Sequence, residues 1–324
     1  MRLDDLLVPR VLFVTGKGGV GKSTAAAAVA LAGVATGRRT CLVEVEGRQT
    51  MARVFATAPW DFDEREVRPE LFGMSVDPEA SLAEYLDMFY GARRLSRFVV
   101  GPSAVEFATT AAPGIKDVLL IGKVRELERR RDPDGQFHYD LIVVDAPPTG
   151  RITNFLRAPD ATTEMVGVGP IRGQAQSLVD MLLDPERTHL QLVTVLEEMP
   201  VEETIESVRA LTDLGVTVGP LLVNRVLEPV GSAASRERIA AGLDPEAVAA
   251  ILAEVDLPSG EEVVADLLER GTHHTAALAQ QSRQRERLAQ ATDLPMLELP
   301  YLATHEFGEA EVRALAERIS EAAS

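Results

Sequence analysis

The sequence predicts an α/β fold: a doubly wound, mostly parallel sheet carrying helical subdomain insertions. Three observations predict it. Short apolar runs alternate with helical patterns along the 324 residues. Those runs are apolar at successive positions, as strands buried on both faces require, rather than alternating with polar residues. The first run also leads through a glycine-rich loop into an alanine-rich helical segment, the strand–loop–helix order of an α/β unit.

Strands are expected over residues 11–15, 41–45, 141–145, 192–196, 221–224 and 296–299. The alanine-rich segment 24–36 is the first helix. In the helix expected over 204–214, Ile205, Val208, Leu211 and Leu214 share one face. Glu202 and Glu203 crowd its start, and Gly215 ends it. Two stretches interrupt the alternation, 79–131 and 230–291, with a shorter helical segment over 155–190. In the first, Ser81 with Glu84 and Ser103 with Glu106 have capping-box spacing, and Leu82, Tyr85, Leu86 and Phe89 form an apolar face. Asp244-Pro245-Glu246 and the run from Ser259 to Glu262 look like helix starts in the second. The tail from Glu309 places Val312, Leu315 and Ile319 on one stripe, which predicts a helix packed on the sheet. The organisation expected is one domain over 1–324 with these additions.

Composition narrows the function. With 50 acidic and 33 basic residues the net charge is −17, and the basic run that a nucleic-acid partner requires does not occur. No apolar run approaches the roughly 18 residues of a bilayer span. Asp4 and Asp5 stand where a secretory signal carries positive charge, so a cytoplasmic protein without a stable membrane anchor is expected. Cys41, the single cysteine, lies in an expected strand and reads as a small core residue. The pair His273-His274 lacks a third ligand at suitable spacing, and His138 and His189 precede strands and read as structural.

Residues Gly16-Lys17-Gly18-Gly19-Val20-Gly21-Lys22-Ser23 match G-x-x-x-x-G-K-[ST] in the right context, which marks a P-loop NTPase. The glycines let successive N–H groups turn inward toward phosphates at a helix N-terminus, which Thr24 continues. Lys22 is expected on the β- and γ-phosphates of ATP, and Ser23 on Mg²⁺. An acid closing a sheet strand beside this loop, Asp145, stands where a metal-holding carboxylate belongs.

Lys17 makes the loop resemble the deviant Walker A motif of the family that holds MinD, ParA, nitrogenase iron protein and the ArsA-type ATPases. That resemblance implies that Lys17 reaches across a dimer interface to the partner's nucleotide. Asp145-Ala-Pro-Pro-Thr-Gly150, continuing through Leu156, resembles the D-T-A-P-T-G-H-T-L-R switch of ArsA-like ATPases, which include the targeting factor for tail-anchored membrane proteins. On that likeness Asp145 holds the Mg²⁺ shell through water, and the Gly150 N–H senses the γ-phosphate. Pro113-Gly114-Ile115-Lys116-Asp117 resembles the family's P-G-x-x-[DE] element, and Leu222-Val223-Asn224 the strand end whose asparagine recognises adenine. Leu299-Pro300-Tyr301-Leu302 resembles the loop that covers the base, which places Pro300 and Tyr301 there.

Departures refine the reading. Where ArsA-like enzymes carry D-P-A-H, this chain has Glu46-Gly47-Arg48-Gln49. Glu46 takes the place of the aspartate that positions the attacking water, and Gly47 loosens the switch. One cysteine cannot make the thiolate site of an arsenite pump, and 230–291 holds no cysteine for the targeting factor's zinc. ParA-like and MinD-like rivals need a basic face or a basic amphipathic tail, which are missing. The variant motifs are similar to actinobacterial ArsA-like ATPases that pair as unlike subunits. The expectation is a Mg²⁺-dependent ATPase acting as a homodimer, or as a heterodimer with a paralogous subunit, on a hydrophobic or membrane-protein client. The alternative is a nucleotide-gated scaffold with weak or no hydrolysis.

Overall fold

The computed structural model describes residues 2–45, 47, 49–77, 80–81, 115–149 and 170–323. After a 3₁₀ turn at Leu3–Leu7 the order is β1 (Val11–Gly16), α1 (Lys22–Ala35), β2 (Thr40–Glu44), α2 (Thr50–Val54), β3 (Arg65–Arg68) and β4 (Leu71–Ser75). Then come α3 (Ile115–Arg129), β5 (Leu141–Asp145), α4 (Pro170–Leu183), β6 (Thr188–Val195), α5 (Glu198–Asp213) and β7 (Leu221–Val226). The chain closes with α6 (Ala233–Ala241), α7 (Pro245–Glu254), α8 (Glu261–Ala291), β8 (Met296–Pro300) and α9 (Glu309–Ala322).

The eight strands form one sheet in the order β3-β4-β2-β5-β1-β6-β7-β8. Every pairing is parallel except the β3–β4 hairpin at the edge. All six expected strands are present. The hairpin is additional, and β6 starts four residues before its expected position. Both have a physical reason. Arg65-Glu66-Val67-Arg68 is too polar to read as a strand, and β4 carries Gly73, where a Cβ would come within 2.6 Å of the Trp60 ring. The first half of β6 buries Thr188, His189 and Gln191, so the apolar run begins only at Leu192. His189 therefore lies inside the strand rather than before it.

Strand alternation divides the core into two layers. Leu12, Val14, Leu42, Val143 and Leu222 face α1 and α9, and the stripe Val312, Leu315 and Ile319 of the tail is buried there. Phe13, Cys41, Val43, Ile142, Val144 and Leu192 face the layer built by Leu127 of α3, Met181 of α4, Ile205 and Leu211 of α5 and Leu288 of α8. Small side chains bring α1 close to the sheet, since a Cβ on Gly33 would lie 2.5 Å from Leu141 Cδ2. Helix α5 begins earlier than the expected 204, with Pro200 in its opening turns, where a missing N–H costs nothing.

Residues 82–114 and 150–169 lie outside the described residues, and with them Glu84, Ser103, Glu106, the apolar face 82–89 and most of the expected segment 79–131. At the near edge of that segment the cap differs from expectation. Ala80 N donates to Asp77 Oδ1 at 2.9 Å, and Ser81 Oγ donates back to Asp77 O at 2.8 Å, so Asp77 takes the capping role given to Ser81. The stretch 230–291 folds as α6, α7 and α8, with Ser232 and Asp244 accepting from the N–H groups of Ser235 and Glu246. Helix α8 is 31 residues long, yet only Val264 and Leu288 along it are buried.

Candidate active site at the carboxyl end of the sheet

The phosphate loop leaves β1 where backbone packing permits only glycine. A Cβ on Gly16 would sit 2.2 Å from Val193 O, and one on Gly21 would sit 2.3 Å from Asn224 Nδ2. Gly19 and Gly21 hold φ of 89° and 91°, the left-handed region that L side chains avoid. Gly18 and Gly19 face open space, and Val20 is buried beneath the loop. Helix α1 starts at Lys22 with no side-chain cap, so its leading N–H groups point into the loop mouth, a ready anion site. Lys22 Nζ donates to Lys17 O at 3.2 Å, which holds the ammonium across that mouth. Thr24 is half-buried in the same first turn.

Asp145 ends β5 beside β1, with Val14 opposite it in register. Ser23 Oγ donates to Asp145 Oδ2 at 2.6 Å, and Thr15 Oγ1 donates to Pro147 O at 2.6 Å, which ties the two strand ends together. A hydroxyl and a carboxylate are hard oxygen donors, and Mg²⁺ favours such a pair while keeping several waters. The residues present fit that ion.

The far side of the loop is set by β7 and β8. Asn224 is buried and donates from Nδ2 to Val20 O at 2.9 Å. Pro300 pairs with Val226 across a register shift, and Tyr301 N donates to Val226 O at 2.8 Å, with Tyr301 as a whole 54% exposed. Arg225 adopts φ 56° at that irregularity. Gln281 of α8 braces it, donating to Arg225 O at 3.1 Å and accepting from Leu227 N at 2.9 Å.

Lys17 turns away from the loop. Its Nζ lies 2.8 Å from Glu203 Oε1 on α5, and the adjacent Glu202 pairs with Arg287 of α8. Glu44, at the end of β2, is buried, and Thr50 N donates to its Oε1 at 2.8 Å. Burial pushes its carboxyl above the usual range, against the opposing N–H groups of Thr50, Gln49 and Met51. Gln49 completes this connection: Trp60 N donates to its Oε1 at 2.7 Å, and its Nε2 donates to Trp60 O at 2.8 Å.

Gly16 to Thr24, Asp145, Asn224, Pro300 and Tyr301 thus all lie at the carboxyl end of the sheet, whereas Glu46 and Gly150 lie outside the described residues. Sequence reading gave no site role to Glu44, Gln49, Glu203 or Gln281. An acid closing an apolar strand was the legible signal for Glu44. The others depend on contacts across 11 residues or more.

Comparison with known proteins identifies the family. Residues 9–178 and 171–238 match the ArsA ATPase family, described as anion-transporting ATPase. The chain is 40% identical over 302 residues to ATPase BagA of Mycobacterium tuberculosis, covering 90% of this chain and 87% of that one. It is 24% identical over 254 residues to ATPase GET3 of Candida glabrata, covering 67% and 72%. To an arsenical pump-driving ATPase of Escherichia coli it is 26% identical over 242 residues, covering 68% of this chain and 40% of that one. A phosphate loop of this form, matched across most of the chain, makes the protein a member of the ArsA ATPase family and an ATP hydrolase.

Proposed function

We propose that this ATPase works as a nucleotide-gated dimer, binding Mg²⁺ and ATP between subunits and using turnover to handle a hydrophobic or membrane-protein client. The observation that carries the reading is the division of labour between two lysines. Lys22 spans its own loop, whereas Lys17 leaves it for Glu203 and is available to a neighbour's nucleotide. A second cation on phosphates already served adds little, but one arriving in trans stabilises charge that develops during transfer.

In this reading the N–H groups of Gly18 to Ser23 cradle the phosphates, and Lys22 stabilises charge on the transferred group. Ser23 and Asp145 hold Mg²⁺, which when bound neutralises phosphate charge. Glu46 orients the attacking water and accepts its proton, and the Gly150 N–H reports the γ-phosphate. Asn224 reads adenine, with Pro300 and Tyr301 over the base. The exposed Ile251, Val255, Leu257, Val263 and Leu267 on and beside α7 and α8 support an apolar client. Among the described residues no helix is long and apolar enough to cross a membrane.

The test is Lys17→Ala. ATP affinity by calorimetry should stay within about twofold, while turnover falls about a hundredfold, the scale of losing one transition-state contact. Unchanged turnover would overturn catalysis in trans. A scaffold with weak hydrolysis is favoured by one feature, Gly47 at φ 61° in the switch. Background turnover both alone and with a paralogous subunit would establish that alternative. Mass spectrometry of what co-purifies with Glu46→Gln tests the client: recovery of neither a second ATPase subunit nor a membrane protein would count against it.

A further inference from the structure

We propose that Glu44 is a second acidic group of the metal–nucleotide site, presenting Oε2 to the water shell of Mg²⁺ while Oε1 holds the backbone that follows the switch. The inference rests on the reading that Ser23 and Asp145 hold that ion.

Three observations point to it. The first is placement. Glu44 pairs in register with Asp145 on the neighbouring parallel strand. Leu42 and Val143, two positions earlier on each strand, both face α1. Alternation therefore turns Glu44 and Asp145 to that same face, where Ser23 of α1 already touches Asp145. Adjacent strands run about 4.8 Å apart, so both carboxyl groups can address one hydrated ion.

The second is an unfilled acceptor. Glu44 is 1% exposed, and Oε2 is buried with no hydrogen-bond partner among the described residues. It forms no ion pair among the described residues. A carboxylate oxygen buried without a donor is costly, and folds retain one where something completes it. A magnesium-bound water is a strong donor of the right kind.

The third is the other oxygen. Oε1 accepts from Thr50 N at 2.8 Å, just past residues 45–49. One rigid carboxylate thereby joins the ion to the backbone leaving the switch, so metal occupancy and the position of that backbone become linked.

The experiment compares wild type, Glu44→Gln, Glu44→Asp and Asp145→Asn. Mn²⁺ serves as a paramagnetic probe, titrated by electron paramagnetic resonance with a non-hydrolysable ATP analogue present. Nucleotide affinity in EDTA and thermal unfolding of the metal-free protein are measured alongside. Glu44→Gln should weaken Mn²⁺ about tenfold, as loss of a group supporting a metal does. Nucleotide affinity in EDTA should stay within about twofold, and the metal-free unfolding midpoint should be unchanged or raised, because an uncompensated charge is gone. Glu44→Asp keeps the charge and should retain most of the Mn²⁺ affinity. Wild-type Mn²⁺ affinity in Glu44→Gln with a weakened Asp145→Asn overturns the proposal and leaves the site reading standing. No effect in either variant overturns both. A Glu44→Gln protein that loses only thermal stability, or a Glu44→Asp protein as weak as Glu44→Gln, also overturns it.

Discussion

At Asn224 one carboxamide braces the phosphate loop: Nδ2 donates to Val20 O, and its closeness to Gly21 leaves no room there for a Cβ. The proposed adenine contact would thus come from a side chain already fixed by the loop, which couples the base subsite to the phosphate subsite. Asn224→Ala is expected to cost affinity and selectivity together. ATP binding should weaken about tenfold, since truncation leaves a buried Val20 carbonyl without its donor, and the preference for ATP over GTP should fall. Calorimetry with both nucleotides checks this. A loss of affinity at constant selectivity would confine Asn224 to bracing. Lys17 shows the same economy at the residue scale. It is a half-exposed cation with a surface partner, and such pairs are worth little, so Glu203 can release it cheaply.

Among the elements, α2 is held at its start by Gln49. Gln49 holds φ 56°, a conformation that costs an L residue energy, and its carboxamide imitates a strand pairing with both backbone groups of Trp60. Trp60 in turn stacks on Phe55 and lies over Gly73 of β4, which explains why the edge hairpin belongs to the site's scaffold. Gln49→Ala removes both hydrogen bonds and keeps the unfavourable φ. It should destabilise the protein by about 2–4 kcal/mol, from two part-buried backbone groups left unmet, measured by urea unfolding. Gln49→Gly relieves the φ and should lose less. At the other edge, α8 carries Gln281 to the β7–β8 irregularity and Arg287 to α5, which ties the last turns of the long exposed helix to the sheet and its covering layer.

On the scale of the whole molecule, stability depends on a polar seam inside β6. His189 is buried, with Nε2 bonded to Pro185 O, and burial lowers its pKa below the ordinary histidine value. The unfolded chain therefore takes up a proton that the folded chain resists. Stability should fall as pH drops below about 6.5. His189→Gln should flatten that fall between pH 7 and 5.5 in chemical unfolding followed by fluorescence, and an unchanged slope would assign the acid sensitivity elsewhere. The net charge of −17 acts in the opposite sense, because self-repulsion among the acids eases as they protonate. The two effects separate in the variant, which changes the histidine alone.

The sequence by itself determined the elements whose signal is local. The P-loop needs glycines and a lysine at fixed spacing, Asp145 closes an apolar strand, and doubly buried strands must be apolar throughout. That was enough for the fold class and the family. Tertiary structure alone decided what depends on partners distant in the chain. It set the hairpin, whose glycine is explained only by Trp60, and the polar half of β6, whose buried groups interrupt the pattern. It also paired Lys17 with Glu203 and turned Glu44 to the face of Asp145. The physical reason is common to all four: residue type and spacing fix local conformation, whereas the worth of a buried or charged group depends on which neighbour the fold brings to it.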